Sequence, residues 1–165
     1  ALQVTSPGGI LTVRGTVIDH ALENPKSTLR SDELKLAEQF APNLVVLGPF
    51  GDHESQTKVT MDRLTPDLIA LITRIEAFAS KPTIYLALPI PRGPKDDNES
   101  YRRMRDETAR VAADKKLPVI DLWNAFLGHP EFFQDATHLT IPGRKCLAEA
   151  VAKAATAAVA GGPRR

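Results

Sequence analysis

Along the chain, short runs of apolar residues alternate with longer stretches in which apolar positions recur every three or four residues. The runs are residues 43–47 (NLVVL), 83–88 (TIYLAL) and 119–122 (VIDL), each directly after a proline. Runs that stay apolar on successive positions read as strands buried on both faces. The gaps between them are long enough for crossover helices, which parallel neighbours require. Residues 66–79 open with Thr65 at a cap position and Pro66 at the first helical position, and carry Leu68, Leu71, Ile72, Ile75 and Phe78 as one stripe. Residues 99–114 follow an Asp-Asp-Asn start and set Met104, Thr108, Val111 and Ala112 on one side. Residues 31–40 form a shorter helix before the first run. Residues 142–160 form an alanine-rich last helix with Leu147, Val151 and Ala155 facing in, closed by Gly161 and Gly162.

This alternation predicts a three-layer α/β/α fold: a parallel sheet with helices on both faces and right-handed crossovers. The chain has 165 residues and is 42% hydrophobic, enough for one domain with a sizeable core. That domain is expected over residues 1–160, with 161–165 as a flexible tail. Sheets of this kind bind ligands at the carboxyl ends of their strands. The loops leaving those ends are residues 48–57, 89–98 and 123–140, so a site is expected there. The loop 89–98, rich in proline and charge, reads as a surface loop and a possible substrate wall.

Charge and composition narrow the function. The net charge is +1, which argues against nucleic acid or a membrane surface as partner. Arg102, Arg103 and Arg105 read as a solvated face, as do Arg164 and Arg165. No apolar run approaches the roughly 18 residues of a membrane span. One cysteine, Cys146, excludes an internal disulfide and reads as a small buried hydrophobe. The chain begins at Ala1, which fits a removed leader, and so a secreted or periplasmic location, or a fragment.

The candidate chemistry is in the last loop, FFQDATHLTIPG over residues 132–143. Asp135 and His138 stand three apart just before a helix. A turn of that length folds the carboxylate onto the imidazole, where it sets the tautomer and stabilises the imidazolium. A histidine so held is a competent general base for a hydroxyl nucleophile. The plainer alternative is a capping aspartate beside an unrelated loop histidine.

From Pro42 to about Ala155 the chain resembles the SGNH hydrolases, the GDSL-type lipases and esterases, and among them the carbohydrate O-acetylesterase branch. APNLVVLGPFGDHES matches the strand and loop of the family's third block, KPTIYLALPIP the next strand, and the segment from Leu117 to Ala155 the fifth block with its Asp-x-x-His-x-x-x-x-Gly pattern. The resemblance implies a flavodoxin-like sheet and a serine ester hydrolase acting on carbohydrate or other small esters. In it His138 is the base and Asp135 its orienting acid, with no cofactor and no metal. It further implies an oxyanion and substrate site drawn from Gly9, Gly48, Phe50 and Asp52.

Two blocks of the family depart from its pattern. No Gly-Asp-Ser tripeptide occurs, and Phe50 stands where the third block has an oxyanion-binding Asn. A phenylalanine has no hydrogen to donate there, and losing one oxyanion donor costs about 10²–10³ in rate. Two registers are open for the start of the chain. In the first, residues 2–4 are the family's second strand, Ser6-Pro7-Gly8-Gly9 is its second block, and the first strand is missing. In the second, residues 2–5 are the first strand and Ser6 is a degenerate nucleophile. Spacing favours the first register. It leaves a slot inside the sheet whose empty edges would cost ~1–3 kcal/mol per unpaired buried group. Residues 10–18, a re-ordered sheet, or a separate segment or second chain would have to fill it.

Other polar groups carry less. Asp52-His53-Glu54 and Asp19-His20 read as solvated loops rather than metal ligands. Trp123 reads as packing, with sugar stacking as the alternative.

Overall fold

The computed structural model describes residues 2–6, 9–13, 32–48, 58–93, 99–135 and 138–160. The strands are β1 (Leu2–Ser6), β2 (Gly9–Val13), β3 (Leu44–Leu47), β4 (Thr83–Ala87) and β5 (Val119–Ile120). The helices are α1 (Asp32–Gln39), α2 (Lys58–Glu76), α3 (Glu99–Lys115), α4 (Leu122–Phe126) and α5 (Ile141–Ala160). They form the expected three-layer α/β/α arrangement, with β3, β4 and β5 parallel.

The apolar runs are buried on both sides, and alternate residues go to opposite faces. Val45 and Leu47 of β3, with Ile84 and Leu86 of β4, face α1, α2 and α3 and pack on Leu34, Leu68, Ile72, Ile75 and Met104. Leu44, Val46 and Ala87 face the other way, toward Leu122, Phe126 and Ala154 of α4 and α5. A strand between two apolar layers has no polar side to show, which is why these segments lack alternation. The helices before β3, β4 and β5 leave by the same device. Ala41, Lys81 and Lys116 adopt left-handed φ values of 50°, 50° and 55°. Proline follows at once or after one residue and cannot continue a helix.

The sheet order is β2-β1-β3-β4-β5, which matches the flavodoxin-like order in chain numbering. The direction of β1 does not match. It pairs antiparallel with β3, Leu2 opposite Leu47 and Thr5 opposite Leu44, and antiparallel with β2, Ser6 opposite Gly9. The first register is therefore corrected, and the second is right in the place it gives residues 2–5 but not in their direction: the slot beside β3 is filled by the chain's own β1, running backwards. Only Pro7 and Gly8 lie between the paired Ser6 and Gly9. A two-residue connection makes a hairpin, whereas a parallel pair needs a crossover of roughly a dozen residues or more. Of residues 10–18, those up to Val13 form the outer strand β2, and 14–18 lie outside the described residues.

Further expectations shift. α2 begins at Lys58, and Pro66 lies inside it rather than at its start. Proline there removes one N–H from the ladder, but the apolar face of α2 from Leu64 to Ile75 is fully buried and holds the helix. Thr65 is not a cap: its hydroxyl donates to Glu107 Oε2 at 2.6 Å, and Arg110 Nη2 reaches the same oxygen at 2.7 Å, tying α2 to α3. The arginines of α3 are not simply solvated, since Arg103 pairs with Asp62 at 2.7 Å and the Arg105 guanidinium lies 4.8 Å over the Trp123 ring. Trp123 itself is core, 2% exposed, which excludes sugar stacking. Strand β5 stops at Ile120, because Asp121 caps α4 by accepting the Asn124 amide at 3.0 Å.

Candidate functional site

The segment from β5 to α5 builds the Asp-His turn step by step. After α4, Gly128 turns the chain with φ 80°, a left-handed backbone that suits glycine. A single 3₁₀ turn over Pro130–Phe132 follows. Residues 132–134 and 138–140 then run back against each other: the Thr140 amide donates to the Phe132 carbonyl (3.0 Å), Phe133 bridges to Leu139, and the Gln134 amide donates to the His138 carbonyl (2.8 Å). Phe132, Phe133 and Leu139 anchor this ladder on the core, with Phe132 and Phe133 edge-on to Phe126 at centroid distances of 5.4 and 5.9 Å.

Asp135 and His138 are brought together across the tip of that ladder. Asp135 Oδ1 accepts the His138 backbone N–H at 2.8 Å, and the His138 Nδ1 lies 2.9 and 2.8 Å from the two carboxylate oxygens. Aspartates form such turns because the short carboxylate reaches the backbone a few residues on. An ionised carboxylate only accepts, so Nδ1 is the protonated nitrogen and Nε2 of the neutral ring holds the lone pair. The side chains of His138 and Asp135 are 73% and 52% exposed, so the imidazole is open to a ligand. Of the two alternatives in the sequence, the geometry is that of the pairing: Asp135 holds both the amide and the imidazole of His138 and caps no helix.

The remaining expected site residues do not all join this pair. Gly48 follows β3 at its carboxyl end, buried and with φ 101°. Ser6 and Gly9 lie at the opposite end. The antiparallel register sets Leu2 beside Leu47, so Ser6 lies four residues beyond it, roughly 14 Å toward the start of β3. The pairing of Gly9 with Ser6 takes Gly9 with it. Reversal of β1 therefore removes both from the end where the sheet's loops gather. Phe50, Asp52, His53 and Glu54, together with Asp19 and His20, lie outside the described residues. Among the described residues, no group of three or more His, Cys, Asp or Glu is placed to hold a metal ion, and no helix is long and apolar enough to cross a membrane.

The structure also forms a second histidine–carboxylate pair. His129 Nδ1 lies 2.9 Å from Glu131 Oε1, and its ring stacks on Phe132 at 4.7 Å. The hydrogen bond from His129 holds the Glu131 carboxyl below its ordinary range. Spacing alone gave little sign of it, since the pairing depends on the 3₁₀ turn between them. Cys146 is half-buried rather than buried, and burial raises its thiol pKa.

No family model matches the chain, and no curated protein matches it. Solved structures do. An acetyl xylan esterase superposes with a TM-score of 0.62 at 22% identity, over 74% of this chain and 74% of that one. A lipase/acylhydrolase from Enterococcus faecalis superposes with a TM-score of 0.56 at 25% identity, over 74% of this chain and 67% of the other. The chain thus has the esterase-like α/β architecture shared by these hydrolases.

Proposed function

We propose that this chain is an ester hydrolase of the SGNH type that removes acyl groups from carbohydrates or other small esters. The observation that carries the reading is the Asp135–His138 turn, with Nδ1 held by the carboxylate and Nε2 left as base. In the proposed reaction a serine hydroxyl attacks the ester carbonyl while His138 Nε2 takes its proton. Asp135 stabilises the imidazolium, which then protonates the departing alcohol. Water repeats the sequence on the acyl-enzyme and releases the acid. Gly48 is the backbone candidate for the oxyanion on the carboxyl side of the sheet, and Phe50 and Asp52, which follow it in the sequence, are the proposed substrate contacts. The fold shared with an acetyl xylan esterase supports an acetylated carbohydrate as substrate class.

Ser6 stands at the end of β1 away from Gly48, so the proposed nucleophile is a serine other than Ser6. Labelling with a fluorophosphonate, followed by peptide mapping, identifies it. Acetate release from acetylated xylan should fall about 10²–10⁴-fold in His138→Ala. Equal rates in the two proteins would sink the mechanism. The lack of a Gly-Asp-Ser tripeptide and the position of Ser6 favour a second reading, a glycan-binding domain without turnover. Xylan binding with neither acetate release nor labelling would establish that reading.

A further inference from the structure

We infer that Thr140 is a positioning residue for His138, a role separate from its capping of α5; the catalytic part of this inference rests on the function proposed above. Thr140 is the residue just before α5, and its hydroxyl is used twice. It accepts the Gly143 amide at 3.3 Å, the bond that an N-cap makes to the third helical residue. It also donates to the Glu131 carbonyl at 2.6 Å. The second bond does nothing for the helix. It closes the mouth of the ladder below the Phe132–Thr140, Phe133–Leu139 and Gln134–His138 contacts. Arg144 supports the same strand from α5, its Nη1 donating to the Leu139 carbonyl at 2.9 Å.

The consequence for His138 is geometric. Its carbonyl is held to Gln134 and its amide to Asp135, so the imidazole meets the carboxylate only while the two arms of the loop stay in register. Asp135 and His138 are both exposed, and an exposed pair has little packing to restore it. Register in so short a ladder depends on its few rungs, and the hydroxyl clasp to Glu131 is the one nearest the helix. Opening it lets His138 leave the carboxylate and take up the Nε2–H tautomer, which has no lone pair on Nε2 to accept the hydroxyl proton.

Three substitutions separate clasp from cap. Thr140→Ser keeps both bonds. Thr140→Asp keeps an acceptor for the Gly143 amide but has no proton for the Glu131 carbonyl. Thr140→Val loses both. The direct measurement is the tautomer of the neutral His138 ring, read from long-range ¹H–¹⁵N imidazole spectra below each protein's melting temperature. The wild-type protein and Thr140→Ser should show the Nδ1–H form. Thr140→Asp should show a substantial Nε2–H fraction at wild-type melting temperature, with kcat for acetyl esters down about tenfold and KM unchanged. Wild-type tautomer in Thr140→Asp would overturn the inference and leave Thr140 a helix cap alone, even if Thr140→Val is too unstable to study. Failure of the wild-type chain to hydrolyse any ester would count against the proposed function only, since the tautomer reads the clasp without turnover.

Discussion

Asp135 shows how much a single carboxylate can do locally: one oxygen caps the His138 amide while both face the imidazole, so backbone and tautomer are set together. This much was legible in the sequence, because both partners lie within three residues and no distant contact is needed. His129 and Glu131 are closer still in sequence, yet their pairing is created by the 3₁₀ turn and by the Phe132 ring under the imidazole. Their pairing has a measurable consequence. The His129 hydrogen bond depresses the Glu131 pKa, so whatever the contact adds to folding is present above the ordinary glutamate pKa. It is lost as pH falls through the lowered value. In His129→Ala the Glu131 carboxyl should titrate upward, toward its ordinary range, as followed by ¹³C chemical shift. An unchanged titration would mean that the contact does not form in solution. Trp123 and Arg105 make the opposite case, since only the packed structure shows that an arginine of α3 covers a core tryptophan.

At the scale of elements, the loop and α5 meet where Gly143 passes the 3₁₀ turn. A β-carbon at Gly143 would collide with the carbonyl oxygen of Phe132. That carbonyl is also the acceptor for the Thr140 amide, so it cannot move aside without breaking the ladder. Gly143→Ala should therefore destabilise the protein by about 1–3 kcal/mol in chemical denaturation, despite alanine's better helix propensity. A neutral or stabilising result would show that the turn yields at little cost. The same comparison explains where element boundaries were readable. The stripe from Leu68 to Phe78 located α2, but its start was misplaced by eight residues, because Pro66 looks like a first helical residue and instead sits within the helix. Helix interiors are written in periodic side chains. Their ends depend on what the next layer offers, here Glu107 and Arg110 of α3 to Thr65.

For the whole molecule, the reversal of β1 decides the most. It closes the sheet beside β3 and simultaneously carries Ser6 and Gly9 to the end away from Gly48. Ser6→Ala should leave ester hydrolysis within about twofold of wild type, and a mass-mapped covalent probe should not reside on Ser6. Loss of activity in Ser6→Ala at unchanged stability would contradict the register of β1 with β3.

The class of fold and the Asp135–His138 pair were legible in the residues alone. Both are local or periodic properties: apolar runs between two layers, amphipathic helices between the runs, and a carboxylate within a turn of an imidazole. The sequence also carries a signal for the hairpin, two five-residue strands with only Pro7 and Gly8 between them. Which strand fills the place beside β3, and in which direction, emerges only from the packed sheet. Strand order and sense are settled by non-local pairing of backbone groups, and those groups are the same in every residue except proline.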